Sequence, residues 1–345
     1  MENKKVSRWA TIVSYLKRFK WWLAGICVTI LLAVAILVPL PYYVEMPGGA
    51  FDIAQVLTVN DKEDKEKGSY EFVAVSQVRA TFAWLLYAWA TPFTDITTAE
   101  ETTGDYSEAD YIRINQFYME TSQNTAIYQA MTLAGKSVTL DYQGVYVLSV
   151  SDKSTFKGVL NLADTVTGVD GHTFNSSQEL INFVADLDLG ADVTVQYTSQ
   201  GQKKEAKGKI ISLSNGKNGI GIGLVDHTVV KSDDKVTFST GAVGGPSAGL
   251  MFTLDIYDQL STEDLRKGRV IAGTGTIGMD GSVGEIGGID KKVVSAAKSG
   301  ASIFFAPAGD NYKAAVKAAK KYGTDMKIVK VSTVQEAIDY LRNTD

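Results

Sequence analysis

The chain has 345 residues, 45% of them apolar and 21% charged, so most of it can bury a core and is not a disordered polypeptide. Its 34 basic and 39 acidic side chains leave a net charge of −5, which argues against a nucleic-acid-gripping surface. One cysteine (Cys27) excludes a disulfide framework, and two histidines 55 positions apart (His172, His227) argue against a zinc site, so no metal or other cofactor is expected.

The charge is uneven along the chain. Residues 1–20 carry six Lys or Arg against Glu2 alone and read as a basic cytoplasmic tail. Residues 21–44 follow without one Asp, Glu, Lys or Arg. As a helix this stretch is about 36 Å long, enough to cross a hydrocarbon core of about 30 Å. The flanking positive charge predicts a cytoplasmic N-terminus and an external body. A cleaved signal peptide is disfavoured, because the apolar run is too long and Pro39-Leu40-Pro41 stands where small residues are needed. Residues 45–125 read as an extracellular membrane-proximal region with a strand over 72–78 and no visible chemistry. Within it, 82–90 is strongly apolar but too short to span.

Residues 126–213 read as a small β-rich module. Strands are expected at 144–150, 164–169, 193–198 and 206–211, with a hairpin-type turn at Asp170-Gly171. Ser176 and Glu179 form a capping-box pattern opening a helix over 178–187, with Leu180, Ile181 and Val184 on one face. The order of the GVYVLSV strand, FKGVLNL, a strand ending in VDG and a capped helix resembles the PDZ domains of bacterial proteases. Ala163 stands where those domains usually carry glycine. The resemblance implies an extended peptide docking beside Gly144, Val145, Tyr146 and Val147, with Leu180, Ile181 and Val184 as the groove wall.

Residues 216–345 alternate strands and helices, an α/β pattern. Strands are expected at 221–225, 235–239, 270–273 and 303–307, and helices after Ser247, Asp290, Gly309 and Thr333. Gly245-Pro246-Ser247-Ala248-Gly249 fits G-x-S-x-G, a weak signal alone, since Ser247 could simply cap the next helix. A serine nucleophile needs a base. His227 with Asp233 or Asp234 would crowd a triad into 21 residues, which leaves lysine as the remaining candidate. Asp290 is expected to cap a helix running to Gly300, with Lys292 beside the stripe of Val293 and Ala296 and Lys291 on a solvated face with Lys298. A lysine base near pH 7–8 needs its pKa lowered by about 3 units from 10.4, and burial is the available means.

Together Gly244 to Gly249, Thr274-Gly275, Gly281-Ser282-Val283 and Gly287-Gly288-Ile289-x-x-Lys292 resemble the proteolytic domain of Lon-type proteases over about residues 219–341. The resemblance implies Ser247 as nucleophile, Lys292 as base 45 residues on, and Thr274 supporting the lysine amine. Glu285, where proline is common, and Gly244, where an acidic residue is common, depart from the pattern. No G-x-x-x-x-G-K-[ST] sequence occurs, so ATP-driven unfolding is not expected. The layout as a whole is similar to membrane-anchored, PDZ-containing Lon-like proteases of Gram-positive bacteria. That resemblance implies an ATP-independent serine endopeptidase on the cell surface that processes a secreted signalling peptide. The expected architecture is multidomain α+β, its partner an extracellular peptide; oligomeric state is not legible. The rival reading is an inert PDZ-based scaffold, which lysine-dependent labelling of Ser247 distinguishes.

Overall fold

The computed structural model describes residues 8–104, 106–261 and 263–344. Residues 1–7 of the basic tail lie outside the described residues. In chain order the first elements are α1 (Arg8–Leu37), β1 (Tyr42–Asp52), β2 (Leu57–Val59), β3 (Ser69–Arg79), α2 (Phe82–Ala90), β4 (Asp95–Thr98), α3 (Ala99–Thr103) and α4 (Glu108–Leu133). There follow β5 (Val138–Val150), β6 (Thr165–Val169), α5 (Ser177–Ala185), β7 (Asp192–Ser199), β8 (Gln202–Lys209), β9 (Ile211–Ser212), β10 (Asn218–Gly219), β11 (Ile222–Ser232) and β12 (Val236–Phe238). The chain continues through α6 (Gly249–Leu260), β13 (Val270–Gly273), β14 (Thr276–Ile277), β15 (Val283–Gly284), α7 (Ile289–Ser299), β16 (Ile303–Pro307), α8 (Asp310–Tyr322), β17 (Lys327–Val331) and α9 (Val334–Arg342). The fold is mixed α+β, and it divides into two compact units, residues 1–46 with 76–104 and residues 47–75 with 105–345.

In the first unit, α1 is exposed along nearly all of its described length. Its Ile12–Leu37 stretch has 26 residues and is long and apolar enough to cross a membrane. The helix expected over 21–44 thus starts earlier, within the basic tail, and ends earlier, at Leu37. Pro39 and Pro41 end the helix, since each lacks an N–H and forces the residue before it into extended backbone. Tyr42 to Val44 instead begin β1, which pairs antiparallel with β4 from Tyr42↔Thr98 to Glu45↔Asp95. Val44 is buried with Ala80 and Ala88.

The second unit also overturns part of the expected partition, because residues 47–75 and 105–125 fold with everything downstream. Strands β17, β16, β13 and β3 lie side by side in parallel, with β1 next to β3. The short apolar runs of β13 and β16 are buried on both faces, as parallel strands between helices are. Helix α6 is buried on every side from 249 to 258. It shares a core with Tyr70 and Phe72 of β3, Met131 of α4, Phe305 of β16 and Ile338 of α9. A second core lies under a five-stranded antiparallel sheet ordered β11-β5-β6-β7-β8. Strand β11, expected within the C-terminal α/β domain, pairs along β5 from Ser232↔Val138 to Ile222↔Val150.

Two carboxylates ride on the buried α6. Asp258 lies 3.3 Å from Arg266, whose guanidinium also forks onto Asp64 at 2.5 and 3.0 Å. Asp255, 1% exposed, accepts a hydrogen bond from Gln259. Burial, reinforced by the charge of Asp64, pushes the Asp255 carboxyl up to about 7, and burial raises Asp258 to about 6. Both groups hold protons in the folded protein at pH values where the unfolded chain has lost them. Their contribution to stability is therefore present below about pH 4 and is lost as pH rises toward 7. Asp255→Asn should accordingly raise the thermal midpoint at pH 8 clearly more than at pH 5. An equal shift at both pH values in a thermal melt contradicts the assignment.

Candidate active site

Ser247 sits in the turn immediately before α6. Ala248 holds the cap position and makes no side-chain cap, so the Ser247 hydroxyl is not spent on the helix end. Instead Lys292 Nζ donates to Ser247 Oγ at 2.8 Å. The same amine is 3.3 Å from Thr274 Oγ1, and that hydroxyl donates to the Ser247 carbonyl at 3.0 Å. Gly275 N–H donates to the same carbonyl at 2.8 Å. Thr274, following β13, is 0% exposed, and Lys292, in the first turn of α7, is 4% exposed. Three segments far apart in sequence thus place a hydroxyl, an amine and a second hydroxyl within hydrogen-bond reach.

Helix α7 differs locally from expectation. Its cap residue is Gly288, in the left-handed region at φ 67°, and Asp290 lies inside the first turn. Lys291 is not on a solvated face; it is 3% exposed, with Nζ 3.4 Å from Asp290 Oδ1. Packing of α7 encloses both lysines, so burial does not distinguish them. Reach does: the amine at 2.8 Å from Ser247 Oγ is that of Lys292.

The turn is held from a helix that the sequence reading left without a role. Asn115, Ser122 and Gln129 stand seven residues apart on α4, and so share one face. The Asn115 carbonyl accepts from Gly245 N–H at 2.8 Å, Ser122 Oγ donates to the Pro246 carbonyl at 3.0 Å, and Gln129 donates to the Met279 carbonyl. This contact explains Gly244. A Cβ there would stand 2.8 Å from Asn115 Cβ, so α4 occupies the space that a side chain needs. Gly249 is required for the same kind of reason, with Ile277 and Ser122 at 2.6 and 2.7 Å from a Cβ. Glu285, the other departure, caps α8: its Oε1 accepts from Asp310 and Asn311 N–H at 2.7 and 3.2 Å. Asn311 in turn bonds Ile286 N–H and carbonyl at 2.8 and 3.1 Å, which pins the segment leading into α7.

The histidine alternative is not assembled. His227 belongs to β11, stacks on Tyr146 with centroids 4.0 Å apart, and bonds Thr165 through Nδ1 at 3.0 Å. The peptide groove expected on β5 is also corrected. Gly144 to Val147 are bonded on one side to β11 and on the other to β6 and Asp164, so this backbone is not a free edge. Val145 and Val147 are fully buried, and Tyr146 is half-buried under His227. Leu180 and Val184 seal α5 onto the sheet in the core, and only Ile181 remains partly exposed. The two edges of this sheet are β8 and β11, and α4 lies along β11. There Thr121 Oγ1 and Asn124 Nδ2 of α4 donate to the Asp226 and Thr228 carbonyls at 2.8 and 3.0 Å.

Comparison with known proteins matches two stretches of the chain. The family model of the Lon protease (S16) C-terminal proteolytic domain matches residues 213–343, and that of the PDZ domain matches 129–210. A Lon protease from Neorickettsia sennetsu is 33% identical over 96 residues, covering 28% of this chain and 11% of the relative. One from Metamycoplasma arthritidis is 31% identical over 121 residues, covering 34% and 14%. The chain therefore spans only a small part of those relatives. Among solved structures, the PDZ domain of an SdrC-like protein from Listeria monocytogenes is 38% identical, covering 24% of this chain and 90% of its own, at a TM-score of 0.23. Its counterpart from Listeria innocua is 36% identical, covering 24% and 96%, also at 0.23. The chain carries a PDZ domain and a Lon-type C-terminal proteolytic domain, which supports a serine peptidase.

If α4 fixes the Ser247 turn by contact at Gly244, Gly244→Ala should cost about 1–3 kcal/mol of stability through overpacking. Asn115→Gly, which removes the opposing Cβ, should recover part of that loss in the double variant. A double-mutant cycle by chemical denaturation with no coupling between the two positions would refute the contact.

Proposed function

We propose that the protein is an ATP-independent, membrane-anchored serine endopeptidase that uses Ser247 and Lys292 to cleave extracellular peptides, among them a secreted signalling peptide. The observation that carries the reading is the 2.8 Å contact between Lys292 Nζ and Ser247 Oγ inside a Lon-type domain. With the amine neutral, which burial of a lysine favours, the hydroxyl donates to nitrogen instead. Lys292 takes the Ser247 proton as Oγ attacks the peptide carbonyl carbon. The carbonyl electron pair moves onto oxygen, beside the N-terminus of α6. Gly249 and Leu250 N–H already bond the Pro246 and Gly275 carbonyls, so Ser247 and Ala248 N–H are the proposed oxyanion donors. Collapse expels the amine fragment, which receives its proton from Lys292 and leaves an acyl-enzyme. Water then gives a proton to Lys292 as it attacks the ester, and the departing Ser247 Oγ takes that proton back, which restores the hydroxyl and the neutral amine. Thr274 keeps the lysine amine and the Ser247 carbonyl in register.

Orientation and substrate follow from the rest of the chain. Positive charge at the N-terminal end of α1 (Arg8, Lys17, Arg18 and Lys20) favours a cytoplasmic N-terminus with the catalytic domain outside. The sequence contains no G-x-x-x-x-G-K-[ST] motif, so extended peptides or flexible tails suit it better than folded proteins. In this reading peptide adds beside β11 at 222–225, the stretch of sheet edge before the carbonyls bonded by α4.

Ser247→Ala and Lys292→Ala should each reduce peptide cleavage by about a thousandfold or more, and the double variant should be no worse than either. Lys291→Ala should lower stability without matching that loss; an equal loss from the two lysines would overturn the base assignment. Cleavage should rise from pH 6 to pH 8 as the base loses its proton, and a flat profile would argue against it. Leu224 shares the outward backbone parity of Asp226 and Thr228. Leu224→Pro removes an N–H there and should raise KM for a long peptide while a short reporter is turned over normally. Unchanged KM would move peptide capture away from β11.

A further inference from the structure

Helix α2 presents two faces, and both are apolar. The inner face, Trp84, Leu85 and Ala88, packs on Val44, Met46, Val78 and Ala80. The outer face carries Trp89, Phe82, Leu86, Ala90, Ala83 and Tyr87, which at 100° per residue form one contiguous arc. All six are exposed, Trp89 to 86% and Phe82 to 56%. A helix on the water-facing surface of a folded domain carries polar residues on that arc; this one has only a phenol hydroxyl and an indole N–H, with no Asp, Glu, Lys, Arg or His.

The neighbour is α1. Phe82 lines a shared apolar groove with Val28, Leu31, Val34 and Ala35 of α1 and Val38 just past it. The Leu40 N–H, just past α1, donates to the Ala80 carbonyl at 2.7 Å, just before α2. The medium that bathes the last turns of α1 therefore bathes Phe82 as well. Nine residues rise only about 13.5 Å, so α2 cannot cross a bilayer. Its tryptophans and tyrosine are the residue types that settle at the headgroup level.

We infer that α2 lies in the plane of the outer leaflet, with its Trp89–Phe82–Leu86 face in lipid, as a second membrane contact beside α1. The inference rests on the reading of α1 as a membrane span. An interfacial helix usually faces water with a charged side. Here that side is replaced by the packing of Trp84, Leu85 and Ala88 on β1 and β3, so lipid contact is rigidly joined to the fold. The partner is a phospholipid surface, and two-point contact fixes the tilt of the unit that carries it.

The test uses the full chain in vesicles of phosphatidylcholine and phosphatidylglycerol containing a lipid with a nitroxide near the headgroup. The native Cys27 carries an environment-sensitive fluorophore in one sample. In two others the label is carried by Trp89→Cys or by Leu189→Cys, each on a Cys27→Ser background. The Cys27 and position-89 labels should emit in the blue-shifted range, and nitroxide should quench position 89 by about twofold, as for a group at headgroup depth. The label at position 189, on the exposed Leu189, should stay aqueous and unquenched. A lipid-embedded Cys27 with an aqueous position 89 overturns the inference and leaves the anchor standing. Aqueous emission at both positions overturns the two together. A position 89 that is blue-shifted yet unquenched assigns the face to a second copy of the chain and also overturns the inference.

Discussion

One helix sets the terms for the rest of the second unit. The α4 backbone and side chains bond the turn before Ser247 through Asn115 and Ser122, and the β14–β15 loop through Gln129. From a neighbouring stripe, Thr121 and Asn124 bond the edge strand of the PDZ sheet. The Pro246, Met279, Asp226 and Thr228 carbonyls thereby gain side-chain donors, and such hydrogen bonds contribute about 0.5–1.5 kcal/mol each. The helix accordingly carries polar residues in places where core packing alone would select apolar ones. Ser122, Thr125 and Gln129 are all buried.

That constraint propagates to the geometry around Ser247. Because α4 lies against Gly244 and Gly249, both positions exclude a side chain, and the turn can present Ser247 toward α7. The lysine on the other side is placed by a separate set of bonds. Glu285 and Asn311 lock the approach to α7 onto α8, and Gly288 in the left-handed region starts α7 in the direction that carries Lys292 inward. Thr274 closes the arrangement by touching both partners. The two places where this sequence departs from the Lon-type pattern, Gly244 and Glu285, are thus places where it has built its own supports.

The sequence made the C-terminal domain legible because its signals are local. Strands at 270–273 and 303–307 are short apolar runs bounded by turn residues, and both form at those residues as β13 and β16. Helices α8 and α9 begin directly after Gly309 and Thr333, as expected, and α6 and α7 begin within two residues of the expected starts. The α4 helix was opaque because its buried face is partly polar and breaks the apolar period on which helix reading depends. The pairing of β11 with β5 was not legible because antiparallel pairing across some 80 residues leaves no local trace. Lys291 was misplaced because helical periodicity tells which residues share a face, not what a neighbouring helix covers. The peptide groove failed for a related reason: edge status belongs to the assembled sheet.

The central claim is that Lys292 activates Ser247. A fluorophosphonate that labels nucleophilic serines, followed by peptide mapping, reads that property without any knowledge of the natural substrate. The account predicts a label on Ser247 in the unaltered protein and in Lys291→Ala, and none in Lys292→Ala although that variant remains folded. Labelling of Ser247 that persists undiminished in Lys292→Ala, or that never occurs in the folded protein, would contradict it.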